Sequence, residues 1–262
     1  MRPSLIIPVL LCCLLATTAL AHEGEAEETP LEDSLREASL IAIAITATVM
    51  AALTYAAVCC TTRVWKKRVF LAMVMPVVAV TALLVVSTAY INAVSETGGP
   101  VHWHADFEIY KCGVPVDLVA PTGFVNKVGV STLHEHGDAR MHVEGVVMAR
   151  SDVDLHAFFE AVGGTLTHGR LVVPTDHGTV EASDGELCGS SAAAVQVFLM
   201  TVQEGVIAQR KLALYDRHII APESNVPPGD CIIIEFDAEK PRTEHVCESY
   251  MAAVRRGDVR GG

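Results

Sequence analysis

The sequence predicts an α+β extracytoplasmic domain, a mixed sheet with one main helix, preceded by a two-helix transmembrane hairpin. Three observations carry that expectation. Two apolar runs, residues 38–60 and 69–94, are each long enough to cross a bilayer core as helices. After residue 95 the pattern changes to short segments in which apolar and polar residues alternate, the period of half-buried strands. One segment, residues 152–162, instead spaces its apolar residues as a helix does.

Arg2, the apolar run 5–15 and the small-residue triplet Ala19-Leu20-Ala21 have the order of a secretory signal peptide over residues 1–21. Cleavage there makes His22 the first residue, whose imidazole and α-amine together offer two nitrogens to Cu²⁺. An acidic extracytoplasmic segment follows over residues 22–37. The helices expected at 38–60 and 69–94 flank a loop, 61–68, holding Arg63, Lys66, Lys67 and Arg68, whereas the outer flanks carry Glu32, Asp33, Glu37 and Glu96 against Arg36 alone. By the positive-inside rule the loop is cytoplasmic, and everything after Ser95 lies outside. Neither run contains a charged residue, so no intramembrane ion path is expected. Pro76 should bend the second span, and Ala42, Ala44, Ala47 and Ala51 allow close helix packing. Cys59 and Cys60, at the cytoplasmic end, are read as packing residues ahead of acylation sites.

Residues 95–237 are expected to form the domain and 238–262 a tail. Strands are expected at 101–111, 114–119, 140–148, 170–174, 193–201, 212–215 and 231–236. The helix has capping oxygens in Ser151-Asp152-Val153-Asp154, an apolar stripe of Leu155, Phe158, Phe159 and Val162, and a stop at Gly163-Gly164. Residues 122–132, with Gly123 and Gly129, read as a loop that delivers His134 and His136, and residues 222–230 as a turn built on Pro227-Pro228-Gly229-Asp230. A short helix is expected around residues 244–254, and residues 255–262 read as a frayed end. Four cysteines lie outside, Cys112, Cys188, Cys231 and Cys247; in an oxidising compartment they predict two disulfides with three pairings open. The alternative makes one or two of them thiolate ligands, which would favour Cu(I).

The densest chemical signal is histidine. His102 and His104 alternate with Trp103 and Ala105, so a strand puts them on one face with Asp106 and Glu108, leaving Trp103 and Phe107 for the core. His134 and His136 repeat the spacing, and His142 with Glu144 repeats it again. Imidazoles two apart on a strand converge on one ion as Zn²⁺ and Cu²⁺ sites require, with carboxylates as further ligands or as acceptors behind them. The candidate metal ligands are therefore His102, His104, His134, His136, His142, Glu144 and Asp106, with Asp176-His177 in reserve. The competing reading is a half-exposed polar sheet face that happens to carry histidine. His156, His168, His218 and His245 are each expected to be surface or locally satisfied residues.

The strings HWHADFEIYKCG, LHEHGDARMHVEGVV, DLHAFFEAVGG and PPGDCIIIEF, in that order over about residues 101–236, resemble a group of secreted or membrane-anchored bacterial and archaeal proteins. That resemblance implies an amino-terminal anchor and a domain carrying the histidines, and assigns no activity. The helix followed by strands and a closing Gly-Asp strand also resembles the β-grasp arrangement of sulfur-carrier and cobalamin-transport domains. Gly129, His134, His136 and Glu144 are similar to a cupin metal motif, but Glu144 stands eight residues beyond His136, not three or four, and the helix at 152–162 does not suit a jelly roll.

The net charge of −12 argues against nucleic acid and anionic lipid surfaces as partners and is compatible with cation capture. The sequence thus points to a membrane-anchored metal-binding protein, using a copper or zinc ion, that acts in metal capture or delivery or as an accessory subunit of a membrane complex. One alternative is a metalloenzyme with Glu135 or Glu144 as proton acceptor; another is an interaction domain without metal. No Ser-His-Asp order, phosphate loop or Gly-x-Ser-x-Gly motif is present, and no small-molecule substrate is indicated.

Overall fold

The computed structural model describes residues 31–122, 124, 126–220 and 229–260. The signal-peptide region, His22 and most of the expected turn at 222–230 lie outside the described residues. The chain divides into two compact units, Met1–Ala93 and Val94–Gly262.

The first unit holds α1 (Leu31–Cys59) and α2 (Arg63–Val94), both long and apolar enough to cross a membrane. At 1.5 Å per residue they run about 43 and 48 Å, beyond the roughly 30 Å of a bilayer core. Their ends differ from expectation. Helix α1 already includes the acidic residues from Glu32, and the cations Arg63, Lys66, Lys67 and Arg68 occupy the first turns of α2, leaving only residues 60–62 as the connection. No glycine or proline interrupts the cationic segment, lysine and arginine favour helix, and the Arg68 guanidinium lies 5.4 Å from the Trp65 ring centre. The Thr48 and Thr54 hydroxyls donate to the carbonyls of Ala44 and Met50, so neither is left unsatisfied in an apolar helix.

The second unit is α+β. It begins with β1 (Pro100–Lys111), β2 (Val114–Pro115), β3 (Val128–Gly129), β4 (Leu133–Glu135) and β5 (Arg140–Val146). A 3-10 turn (Arg150–Val153) leads into α3 (Leu155–Ala161). Then come β6 (Thr165–Thr167), β7 (Arg170–Thr175), β8 (Gly178–Ser183), β9 (Leu187–Cys188), β10 (Ser191–Gln203), β11 (Val206–Lys211), β12 (Asp230–Ala238) and α4 (Glu248–Arg256). The main sheet has the order β11-β10-β12-β1-β5-β4-β3, with β2 beside β1 and β9 beside β10, while β6-β7-β8 form a small second sheet. Strands β1 and β12 are parallel, with Phe107 opposite Ile232 and Ile109 opposite Ile234; every other strand pair is antiparallel.

The alternation in β1 sorts its residues. Ala105, Phe107 and Ile109 enter the main core with Ile232, Ile234 and Phe236 of β12 and Leu155, Phe158 and Phe159 of α3, and Trp103 packs at its edge. The other face of the sheet is covered over β10 and β12, where Phe198, Met200, Cys231 and Ile233 meet Cys247 and Tyr250. That double burial explains the nearly continuous apolar run of β12. The Tyr250 hydroxyl sits 2.6 Å from the carbonyl oxygen of Gly229, giving the buried phenol a partner. Two disulfides close the unit, Cys112–Cys188 and Cys231–Cys247, so all four of these cysteines are used in bonds and none is a thiolate ligand.

Several elements depart from the sequence expectation. The strand expected at 114–119 is paired only at Val114–Pro115. The strand expected at 212–215 lies earlier, at Val206–Lys211, because Glu204 and Gly205 both take positive φ and close a two-residue hairpin between Gln203 and Val206. The helix is shorter at its start, since Asp154 supplies the cap by accepting from the Ala157 amide at 2.8 Å. The carboxy-terminal segment is not a frayed tail as far as Arg260. Helix α4 ends at Gly257 in the left-handed region, Val259 is buried, and the Arg260 amide donates to Gly205.

Phe158 is fully buried, with its ring 5.5 Å from Phe107 and 5.7 Å from Phe159. Phe158→Ala is expected to cost about 3–5 kcal/mol in unfolding free energy, because the cavity it leaves lies between α3 and β1. Chemical denaturation of the two proteins checks this; a loss under about 1 kcal/mol would mean that α3 does not hold the sheet.

Candidate metal centre

The histidines meet because three neighbouring strands are in register. His104 on β1 lies opposite His142 on β5, and His142 lies opposite His134 on β4, so one row crosses three strands on the face turned away from the main core. His102 lies opposite Glu144 in the next row, and Asp106 opposite Arg140 in the row on the other side. Cross-strand partners on one face sit about 5 Å apart at Cβ, which is contact range for imidazoles. The ring centres confirm it: His102 to His104 is 4.4 Å, His104 to His142 4.6 Å, His136 to His142 4.8 Å and His134 to His136 4.8 Å. His134 and His142 stack at 5.6 Å with planes 6° apart.

Two trios in this patch can hold a metal ion, His102 with His104 and His142, and His134 with His136 and Glu144. Within each trio the ligand atoms lie within 4.8 Å of one another. Ligands about 2.1 Å from one tetrahedral ion are about 3.4 Å apart, so side-chain rotations of an ångström or so would close either trio.

The surroundings determine which nitrogens are available. His136 Nδ1 lies 2.6 Å from the Asn126 carbonyl oxygen, which only accepts, so Nδ1 carries the proton and Nε2 keeps its lone pair. His142 Nε2 lies 3.3 Å from Asp138 Oδ2, the carboxylate–histidine arrangement that orients a metal ligand, and leaves Nδ1 free. Nδ1 of His134 and Nδ1 of His142 are both buried without a hydrogen-bond partner. A buried polar atom left so costs about 1–3 kcal/mol, which a bound cation would recover. Glu144 faces both trios, with Oε1 3.0 Å from His102 Nε2 and Oε2 3.9 Å from His134 Nε2.

Burial favours the neutral form of three of these imidazoles, His104, His134 and His142. The His104 pKa is pushed down to about 4 by burial first and then by the neighbouring His142 and His102. Burial likewise lowers His134, with Lys127 adding to it, and lowers His142 against the opposing pull of Asp138. Neutral imidazoles are the form that coordinates a metal.

Not every expected residue joins the patch. Asp106 belongs to neither trio, because Arg140 Nε binds its Oδ1 at 2.5 Å and the Ser249 hydroxyl donates to its Oδ2. Glu135 is 98% buried and accepts from the amides of Asp138 and Ala139, so it holds the β4–β5 turn and is not placed as a proton acceptor. Asp176 accepts from the Ala120 amide and joins no trio. His156 is held by the Leu166 carbonyl and Glu160, His168 stacks on Tyr215, and His245 stacks on Tyr110. His218 is half-buried, and desolvation lowers its pKa to about 4, with Arg210 adding to it. The sequence reading missed Asp138, although it continues the alternation of Arg140, His142 and Glu144 backward by one step.

Gly129 shapes the outer edge. Its φ is +118°, and a Cβ there would lie 2.5 Å from the Leu133 carbonyl oxygen, so only glycine lets β3 close on β4 and hold His134 in the row. A cavity of about 750 Å³ opens beside Asp138 and Arg140 and is lined by Asp106, Glu108, Asp117 and Asp176.

Because folding lowers the pKa of His104 and His218 to about 4 from about 6.5, the unfolded chain binds more protons between those values. The stability they contribute is complete above about pH 6.5 and is lost as pH falls toward 4. The thermal midpoint of the metal-free protein should therefore drop across that window, and His104→Gln should flatten the slope; an equal slope in the two proteins would contradict the burial of His104. No family model matches this chain, and no curated protein and no solved structure is similar to it.

Proposed function

We propose that the chain is a membrane-anchored extracytoplasmic protein whose domain binds a transition metal, copper or zinc, for capture and delivery or as an accessory subunit of a membrane complex. The observation that carries this reading is the pair of three-ligand groups with two buried, unpartnered imidazole nitrogens between them. Nitrogen-rich trios with one carboxylate suit Zn²⁺ and Cu²⁺ and suit Mg²⁺ or Ca²⁺ poorly. His102, with 59% of its side chain exposed, leaves one side of the patch open to exchange, as delivery requires. The acidic cavity alongside and the net charge of −12 attract cations to it.

The domain reads as a β-grasp variant. Support for that reading comes from its first and last strands, which pair in parallel at the centre, and from α3, which follows the first antiparallel segment. The two disulfides support an oxidising exterior and the four cations at the start of α2 support a cytoplasmic connection, and both favour an extracytoplasmic domain. Three ligands per group also leave coordination positions for a substrate or water, which is the observation favouring a metalloenzyme as the second reading.

Elemental analysis of the full chain in detergent, without an affinity tag of histidines, tests the metal. His134→Ala with His136→Ala should lower zinc content far more than His168→Ala with His177→Ala, since the latter two are exposed and join neither trio. Equal retention by both double variants would remove the assignment. Topology has its own check. With Cys59 and Cys60 replaced by Ser, Trp65→Cys should resist a membrane-impermeant thiol reagent in intact cells and react after permeabilisation; labelling from outside would reverse the orientation.

A further inference from the structure

We infer that the patch is a dinuclear centre in which Glu144 bridges two metal ions, one held by His102, His104 and His142 and the other by His134 and His136. This deepens the metal-binding reading and rests on it.

The two trios interlock across β5. That strand contributes His142 to the trio shared with β1 and Glu144 to the trio shared with β4, yet each of these residues also touches the other group. The His142 ring lies 4.8 Å from His136 and stacks on His134, while Glu144 Oε1 lies 3.0 Å from His102. One carboxylate thus presents one oxygen to each trio, Oε1 to His102 and Oε2 to His134, as a carboxylate that joins the two ions of a two-metal site must. A single ion would take one trio and leave a buried imidazole nitrogen of the other unpartnered, because the orphaned Nδ1 atoms belong to His134 in one trio and His142 in the other.

Electrostatics then assigns Glu144 its task. Two dications this close repel strongly in a partly desolvated patch, and the imidazoles facing them are neutral donors that remove none of the charge. Glu144 is the only carboxylate in either trio, so its negative charge between the ions is what permits the second to bind. Asp138 stands behind His142 and orients it.

The test uses the full chain in detergent, free of tags, with Zn²⁺ as the stoichiometric probe and Cu²⁺ as the magnetic one. Two zinc ions per chain should survive gel filtration, and Glu144→Gln, which keeps the shape and removes the charge, should weaken the second at least tenfold while the first is retained. Copper-loaded wild type should show the half-field resonance of two neighbouring spins, and Glu144→Gln should lose it. Circular dichroism of each variant separates a local effect from misfolding, and Glu144→Asp provides a second variant that keeps a carboxylate and should retain part of the second site. One zinc per chain in the wild type, or two that Glu144→Gln leaves equally tight, would overturn the bridge and leave a mononuclear site standing. No zinc retained would overturn both.

Discussion

Alternation in β1 is the constraint on which the rest depends. Ala105, Phe107 and Ile109 must be buried against α3 and β12, and a strand that buries its odd positions turns its even positions the other way. His102 and His104 therefore emerge on the opposite face, and the same rule applied to Met141 and Val143 on β5 and Leu133 on β4 brings out His142, Glu144 and His134. A slip of one residue in any of these pairings would bury imidazoles and expose the core, so the hydrophobic pattern holds the register that assembles the histidine patch.

The opposite face of the sheet is used in two ways along its width. Over β10 and β12 it is apolar and closed by α4, with the Cys231–Cys247 disulfide fixing the helix to β12. Over β1, β5 and β4 it is polar and carries the histidines. Asp106 marks the border, with one oxygen on Arg140 in the histidine-bearing region and the other on Ser249 of α4. It ties the covered half of the sheet to the patch, which is a structural use of a carboxylate that looks like a ligand in the sequence.

Inside the patch, burial and mutual proximity act in the same direction. Each lowers the affinity of His104, His134 and His142 for protons, and Nδ1 of His134 and Nδ1 of His142 are buried without a partner. A cluster of neutral imidazoles with poorly solvated nitrogens is unfavourable as a purely structural device. It would become favourable if a cation replaced the missing hydrogen bonds, as the proposed function requires.

The sequence by itself determined the two long apolar helices, the positions of β1, β5, β10 and β12, and the odd-even division that separates Trp103 and Phe107 from the histidines, and it led to an expectation of two disulfides whose pairing it left open. These follow from length, period and composition, which are local. Only the tertiary structure decided which strands are neighbours, and hence that His104, His142 and His134 share a row, that Asp106 is taken by Arg140, and that Glu144 lies between two trios. It also decided the short β6-β7-β8 sheet, the Glu204-Gly205 hairpin and the docking of Val259 and Arg260. Those depend on contacts between residues distant in the chain or on a turn without the usual Asn-Gly signature, and alternation along one strand carries no record of the strand beside it.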